Sequence, residues 1–152
     1  MHYGLLDCGL TKLGVKLNVT AIDINPNAND VYNFNFRSSK VLSKNLASIS
    51  VQEFDKLEID ICTMSPPCQP FTRQHTNQKF EEQDNRTESL HHLITNVFPN
   101  LTNKPKYFLV ENVKNFEVSK TAEKLLKMFE LMNYNYRQFL LQPDQFGIPN
   151  SR

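Results

Sequence analysis

Three prolines within five residues, Pro66, Pro67 and Pro70, follow a short β-rich run and limit what this part of the chain can become. Proline locks φ, lacks an amide donor and pushes the preceding residue into extended backbone, so neither helix nor a central strand continues through it. The run itself, Leu57-Glu58-Ile59-Asp60-Ile61-Cys62-Thr63, has the composition of a buried strand. A strand leading into a stiff loop presents one thiol, Cys68, with its position and access fixed. That suits a nucleophile. The competing reading is a small buried hydrophobe, which is what a free cysteine usually is.

Helical and strand patterns alternate along the rest of the chain. Leu6, Leu10 and Leu13 share a helical face over Met1–Leu13, with Gly14 just beyond. Leu17–Ile24 reads as a strand. Asn25 then caps a helix whose first residue is Pro26, with Ala28, Val31 and Tyr32 expected to face inward. A short strand is expected around Lys40–Leu42, and Ser50 with Glu53 forms a capping box for a brief helix. After the polar stretch Gln74–Glu88, expected as a loop over the site, Leu90, Ile94, Val97, Phe98 and Leu101 mark a helix. Lys106–Val110 is a further strand, Ser119 caps a helix through Met132, and Tyr136–Leu141 reads as a last strand. This β/α alternation predicts an open, mostly parallel α/β sheet with helices on both faces.

Composition excludes several classes. The 152 residues suit one domain, and a formal net charge of +1 offers no global attraction for nucleic acid, so any such binding relies on local basic groups. Three cysteines, Cys8, Cys62 and Cys68, at wide spacing predict neither a disulfide framework nor a zinc site, and point to a reducing compartment. No apolar run approaches the ~20 residues of a membrane span, and the N-terminus lacks the pattern of a signal peptide. His91-His92 suggests a metal only superficially, because adjacent helical residues point about 100° apart.

In an open α/β sheet, ligands gather at the carboxyl ends of the strands. Asp23, Cys68 and Glu111 each stand at such an end. Asp23 suits the ribose hydroxyls of an adenosine cofactor or, equally, an Asx turn into Pro26. Glu111 read alone is a capping or ion-paired carboxylate beside Lys114. Two rival chemistries fail on spacing. A zinc deaminase needs a second cysteine where Phe71 stands, and a phosphatase loop needs five residues between Cys68 and Arg73 where four are present. Arg73 is left as a phosphate contact or a solvated charge.

Taken together, these residues resemble the cytosine-5 methyltransferases, and within them the type-two branch that methylates transfer RNA. Ser65-Pro66-Pro67-Cys68-Gln69-Pro70-Phe71-Thr72-Arg73 is similar to that branch's cysteine motif, Glu111-Asn112-Val113-Lys114-Asn115-Phe116-Glu117 to its glutamate motif, and Phe146-Gly147-Ile148-Pro149-Asn150-Ser151-Arg152 to the start of its arginine motif. The resemblance implies S-adenosylmethionine as cofactor, held by Asp23, Ile24, Leu46 and Pro66. It implies Cys68, Glu111 and Arg152 as catalytic groups, Gln69, Arg73 and Asn112 as substrate contacts, and no metal. The implied substrate is cytosine in the anticodon loop of tRNA-Asp, nominally also DNA, and the implied location is cytoplasm and nucleus.

Departures from the family pattern carry expectations of their own. The family's first, central strand and its glycine-rich turn have no counterpart before Met1–Leu13, the arginine motif stops at Arg152, and the target-recognition region is missing. Asn45 stands near where many relatives hold an acid that contacts the adenine. Residues 1–152 are therefore expected to form a partial catalytic domain, an incomplete Rossmann-like sheet that is unstable and inactive by itself. The rival expectation is a non-catalytic isoform that at most binds nucleic acid or another chain weakly.

Overall fold

The computed structural model describes residues 12–67 and 87–149. Four strands make two separate two-stranded parallel sheets among these residues. β1 (Thr20–Asp23) pairs with β2 (Lys40–Ser43), and β3 (Ile61–Met64) pairs with β4 (Tyr107–Val110). The registers run Thr20 to Lys40 through Asp23 to Ser43, and Ile61 to Tyr107 through Met64 to Val110. Parallel neighbours need crossovers, and the helices supply them. The open sheet expected from the sequence is thus present in two halves, with no described strand joining β1 to β3.

Local chemistry explains each helix boundary. Before α1 (Pro26–Asn35), Asn25 Oδ1 accepts the backbone N–H of Asn27 at 3.0 Å and of Ala28 at 3.4 Å, and proline fills the first turn. Its inward face matches the expected one only in part, with Ala28 and Tyr32 half-buried. Val31 is 63 % exposed, and the buried residue is Asn29, whose Nδ2 donates to the Asp23 carbonyl at 3.1 Å. A buried amide with a partner displaces the apolar side chain because the strand end offers a carbonyl there.

Ser50 and Glu53 form the expected capping box on α2 (Val51–Asp55). α3 (Glu88–His92) continues as a π turn over Leu93–Val97 and a 3-10 turn over Phe98–Asn100. Ser119 Oγ accepts the Ala122 N–H at 3.0 Å and starts α4 (Lys120–Leu131), which buries Ala122, Leu125, Met128 and Phe129.

One aromatic chain runs through the core. Phe98, fully buried, meets Phe54 at 5.4 Å and Phe108 at 5.1 Å between ring centroids, both edge-on, and Phe108 meets Phe129 and Tyr134 at 5.2 Å each. These edge and tilted arrangements add to the burial term. Cys62 and Met64 point into this core from β3, while their strand neighbours do not. On the opposite face Ile61 is 39 %, Tyr107 66 % and Leu109 50 % exposed, an apolar face left uncovered by described residues.

Two strand expectations are corrected. Residues 57–60 lie outside β3, since the chain turns there and Glu58 takes a φ of +48°. Tyr136–Leu141 forms no strand and pairs with nothing described, and Phe139, Leu140 and Leu141 are exposed. β propensity alone makes no strand without a partner edge. Most of the expected helix Met1–Leu13 lies outside the described residues.

Candidate functional site

Register positions the site. Because Met64 lies opposite Val110 in a parallel pair, the loops that follow leave the same edge of the sheet side by side. One more backbone bond extends the ladder, from Glu111 N–H to the Met64 carbonyl at 2.9 Å. Beyond that point β3 enters Ser65-Pro66-Pro67, and its next carbonyl contact comes from a side chain. Asn112 Nδ2 donates to the Pro66 carbonyl at 3.2 Å, while Asn112 Oδ1 accepts the Val113 N–H at 2.9 Å. The glutamate-bearing loop and the cysteine-bearing loop are therefore tied together next to Glu111 and two residues before Cys68. Glu111 itself is exposed. A catalytic carboxyl that must hold a proton is helped by burial, and Glu111 does not have it in this structure.

The second group of site residues lies at the β1–β2 edge. Asp23 Oδ1 accepts the Asn25 N–H at 2.8 Å, the Asx turn weighed from the sequence. Its Oδ2 has no hydrogen bond to a described residue, so the turn leaves one carboxylate oxygen for a ligand. Ile24 follows it, 63 % exposed. Across the register Ser43 leads to Asn45, whose Oδ1 caps the 3-10 turn Leu46–Ser48 through the Ala47 N–H at 2.9 Å. Leu46 and Pro66 are half-buried. An acid with one carboxylate oxygen left over, next in sequence to the exposed Ile24, has the chemistry to accept hydrogen bonds from the vicinal hydroxyls of an adenosine group. Cys68, Gln69, Arg73 and Arg152 lie outside the described residues.

Two groups contrast with the site. Burial pushes the Cys62 thiol up to about 12, so it stays protonated and inert. His92 Nε2 donates to the Ile49 carbonyl at 2.8 Å and its Nδ1 accepts from Asn96 at 3.2 Å, which assigns the tautomer from its partners. His91 Nε2 lies 3.2 Å from Thr121 Oγ1. The histidines are structural, pinning α3 to the segment after β2 and to α4. Among the described residues no group of three metal-ligating side chains gathers, and no helix is long and apolar enough to cross a membrane.

Sequence reasoning missed Asn112 as a link between loops. An asparagine one residue beyond a strand-end glutamate, opposite a donor-free Pro-Pro pair, is the signal that could have found it.

A family model described as C-5 cytosine-specific DNA methylase matches residues 3–152. A Homo sapiens relative named tRNA (cytosine(38)-C(5))-methyltransferase is 46 % identical over 134 residues, covering 88 % of this chain and 34 % of the relative. A Dictyostelium discoideum relative named DNA (cytosine-5)-methyltransferase is 39 % identical over 155 residues, covering 100 % of this chain and 39 % of the relative. The solved Entamoeba histolytica methyltransferase EhMeth superposes with a TM-score of 0.81 at 34 % identity, over 88 % of this chain and 41 % of that one. The chain thus spans well under half the length of these proteins.

Proposed function

The chain belongs to the C-5 cytosine-specific DNA methylase family, and from that premise we propose that its protein methylates C5 of cytosine in tRNA, at the anticodon loop of tRNA-Asp, through a covalent adduct at Cys68. The observation that carries this reading is the Glu111 N–H to Met64 carbonyl bond, which sets the glutamate beside the segment running into Cys68.

Cytosine C5 is a weak nucleophile in an electron-poor ring. The Cys68 thiolate adds to C6, the S–C6 bond forms, and the ring's electron pair moves toward C5 and N3. Splitting one hard step into two is the gain from covalent catalysis. Glu111 holds a proton at N3, and Arg152 offsets charge at O2. Glu111 is exposed here, so on this reading the entering base itself desolvates the carboxyl. Once C5 carries the methyl group, a solvent base takes the C5 proton, that C–H electron pair re-forms the C5–C6 double bond, and the S–C6 bond breaks to release the Cys68 thiolate.

The family's methyl donor, S-adenosylmethionine, supplies an electrophilic sulfonium methyl when bound, and Asp23, Ile24, Leu46 and Pro66 are the residues that would hold it. Gln69 and Arg73 would contact the nucleic acid. An unpaired loop suits such a site because its base leaves the stack at little cost, and a tRNA substrate fits cytoplasm and nucleus. DNA is the second substrate class, motivated by the Dictyostelium relative's name.

The test is transfer of a labelled methyl to tRNA and to duplex DNA by the protein expressed from its complete coding sequence. Label in tRNA that is lost with Cys68→Ala supports the reading; a Cys68→Ala protein as active as wild type overturns it. The uncovered Tyr107–Leu109 face and the divided sheet favour a second statement about residues 1–152 in isolation, that they are inactive and bind at most weakly. Calorimetry with S-adenosylhomocysteine tests it: saturable heat below millimolar ligand refutes the statement.

A further inference from the structure

Asn112 is tied to protein at both ends of its amide. The Pro66 carbonyl can only accept and the Val113 N–H can only donate, so the orientation of the amide is dictated by its partners. The side chain is half-buried and bridges 46 residues of chain. It also stands where the ladder fails. The last backbone bond is Glu111 N–H to the Met64 carbonyl, and the next carbonyl on that side, Pro66, receives a side-chain donor instead.

We infer that Asn112 is a positioning residue, holding the backbone at Pro66 at a fixed offset from Glu111 and so setting the approach of Cys68 and Glu111 to one pyrimidine ring. The inference rests on the methyltransferase reading and goes beyond it, because it assigns Asn112 to the protein's own backbone and not to the nucleic acid. A misplacement of about 1 Å at reacting groups costs up to ~100-fold in rate. Substrate and cofactor binding are spread over many other contacts and stay as they are.

The experiment is steady-state methyl transfer to tRNA by the protein from its complete coding sequence, comparing wild type, Asn112→Ala and Asn112→Asp. Asn112→Asp keeps the shape and the acceptor for Val113 but loses the donor toward Pro66, which guards against a fold defect in the alanine variant. The expected result for both is a kcat lowered roughly 10- to 100-fold, with KM for tRNA and for S-adenosylmethionine within about twofold of wild type. Asn112→Asp carries a further signature. Protonating the introduced carboxyl restores a donor, so its activity relative to wild type rises as pH falls, whereas that of Asn112→Ala stays flat. Wild-type kcat in Asn112→Ala, or a loss confined to KM for tRNA, overturns the positioning role. No transfer by folded wild-type protein overturns the methyltransferase reading and this inference with it, an outcome distinct from either.

Discussion

The carboxylate of Asp55 accepts the backbone N–H of Asn103 at 3.0 Å through one oxygen and that of Thr102 at 3.1 Å through the other. This two-pronged clamp fastens the end of α2 to the turn that leads into β4. These same backbone donors, Asn103 foremost, hold the Asp55 carboxyl below its ordinary value of 3.8. A depressed folded-state value means that stability is fully present above the unfolded value and lost as pH falls through the folded one. Acid unfolding of wild type is therefore expected to include a contribution below pH 3.8 that Asp55→Asn lacks, measured as denaturation midpoints across that range.

Glu53 makes a second acid-sensitive point. Its hydrogen bond from Lys44, followed by those from Ser50, lowers its carboxyl from 4.5 to about 2. The sign is the same, and the window runs from about 4.5 down to about 2. Glu53→Gln is expected to flatten the pH dependence of stability in that interval: its loss relative to wild type is present at neutral pH, kept small because the pair is exposed, and disappears as pH falls toward 2. Ser50→Ala removes the cap itself and is expected to cost about 1 kcal/mol at pH 7, read from urea midpoints.

Cys62 is expected to resist iodoacetamide in the folded protein at pH 8, because burial lifts its thiol to about 12. It should be alkylated only on unfolding. Peptide mass spectrometry on native and urea-treated samples checks this, and rapid native labelling would contradict the burial that places Cys62 in the core.

Phe98→Ala is expected to destabilise by about 3–5 kcal/mol, the range for a large aromatic removed from a packed core. Phe98 is fully buried between Phe54 and Phe108. The neighbouring rings cannot all collapse into the gap, so a denaturant midpoint close to wild type would show this packing to be wrong.

Asp23 serves a turn and, on the proposed function, a cofactor, and two substitutions separate these. Asp23→Asn retains an acceptor for the Asn25 N–H but loses the charge, and is expected to weaken S-adenosylhomocysteine binding about tenfold with an unchanged melt. A charge-assisted hydrogen bond is worth ~1.5–3 kcal/mol, and tenfold corresponds to the low end. Asp23→Ala should lose both affinity and melting temperature.

Features written locally were legible in the sequence. Asn25, Ser50 and Ser119 cap the helices expected of them, because a cap depends on residues within one turn of itself. The strand cores and the Glu111 strand end were legible for the same reason. Pairing was not. Tyr136–Leu141 has strand composition and no partner strand among the described residues, and Val31 has helical spacing yet faces outward while Asn29 meets a carbonyl of another element. The end of α4 hid its signal in an unusual residue. Asn133, at a φ of +60°, takes the place commonly held by glycine, with Tyr134 N–H bonded back to the Phe129 carbonyl at 2.8 Å and its ring against Phe129. The Asn112 bridge was equally hidden, since it depends on two loops that lie far apart in sequence.

Pro66 and Pro67 also govern how far sheet growth can travel. Neither has an N–H, so the zipper between β3 and any neighbour has no backbone donors past Ser65 until Cys68. Slippage by one residue, which would flip every side chain of the strand to the other face, finds no donors there to stabilise it. Backbone pairing of β3 consequently ends at Met64, before the cysteine motif's two prolines, and the register of the strand is fixed upstream of them.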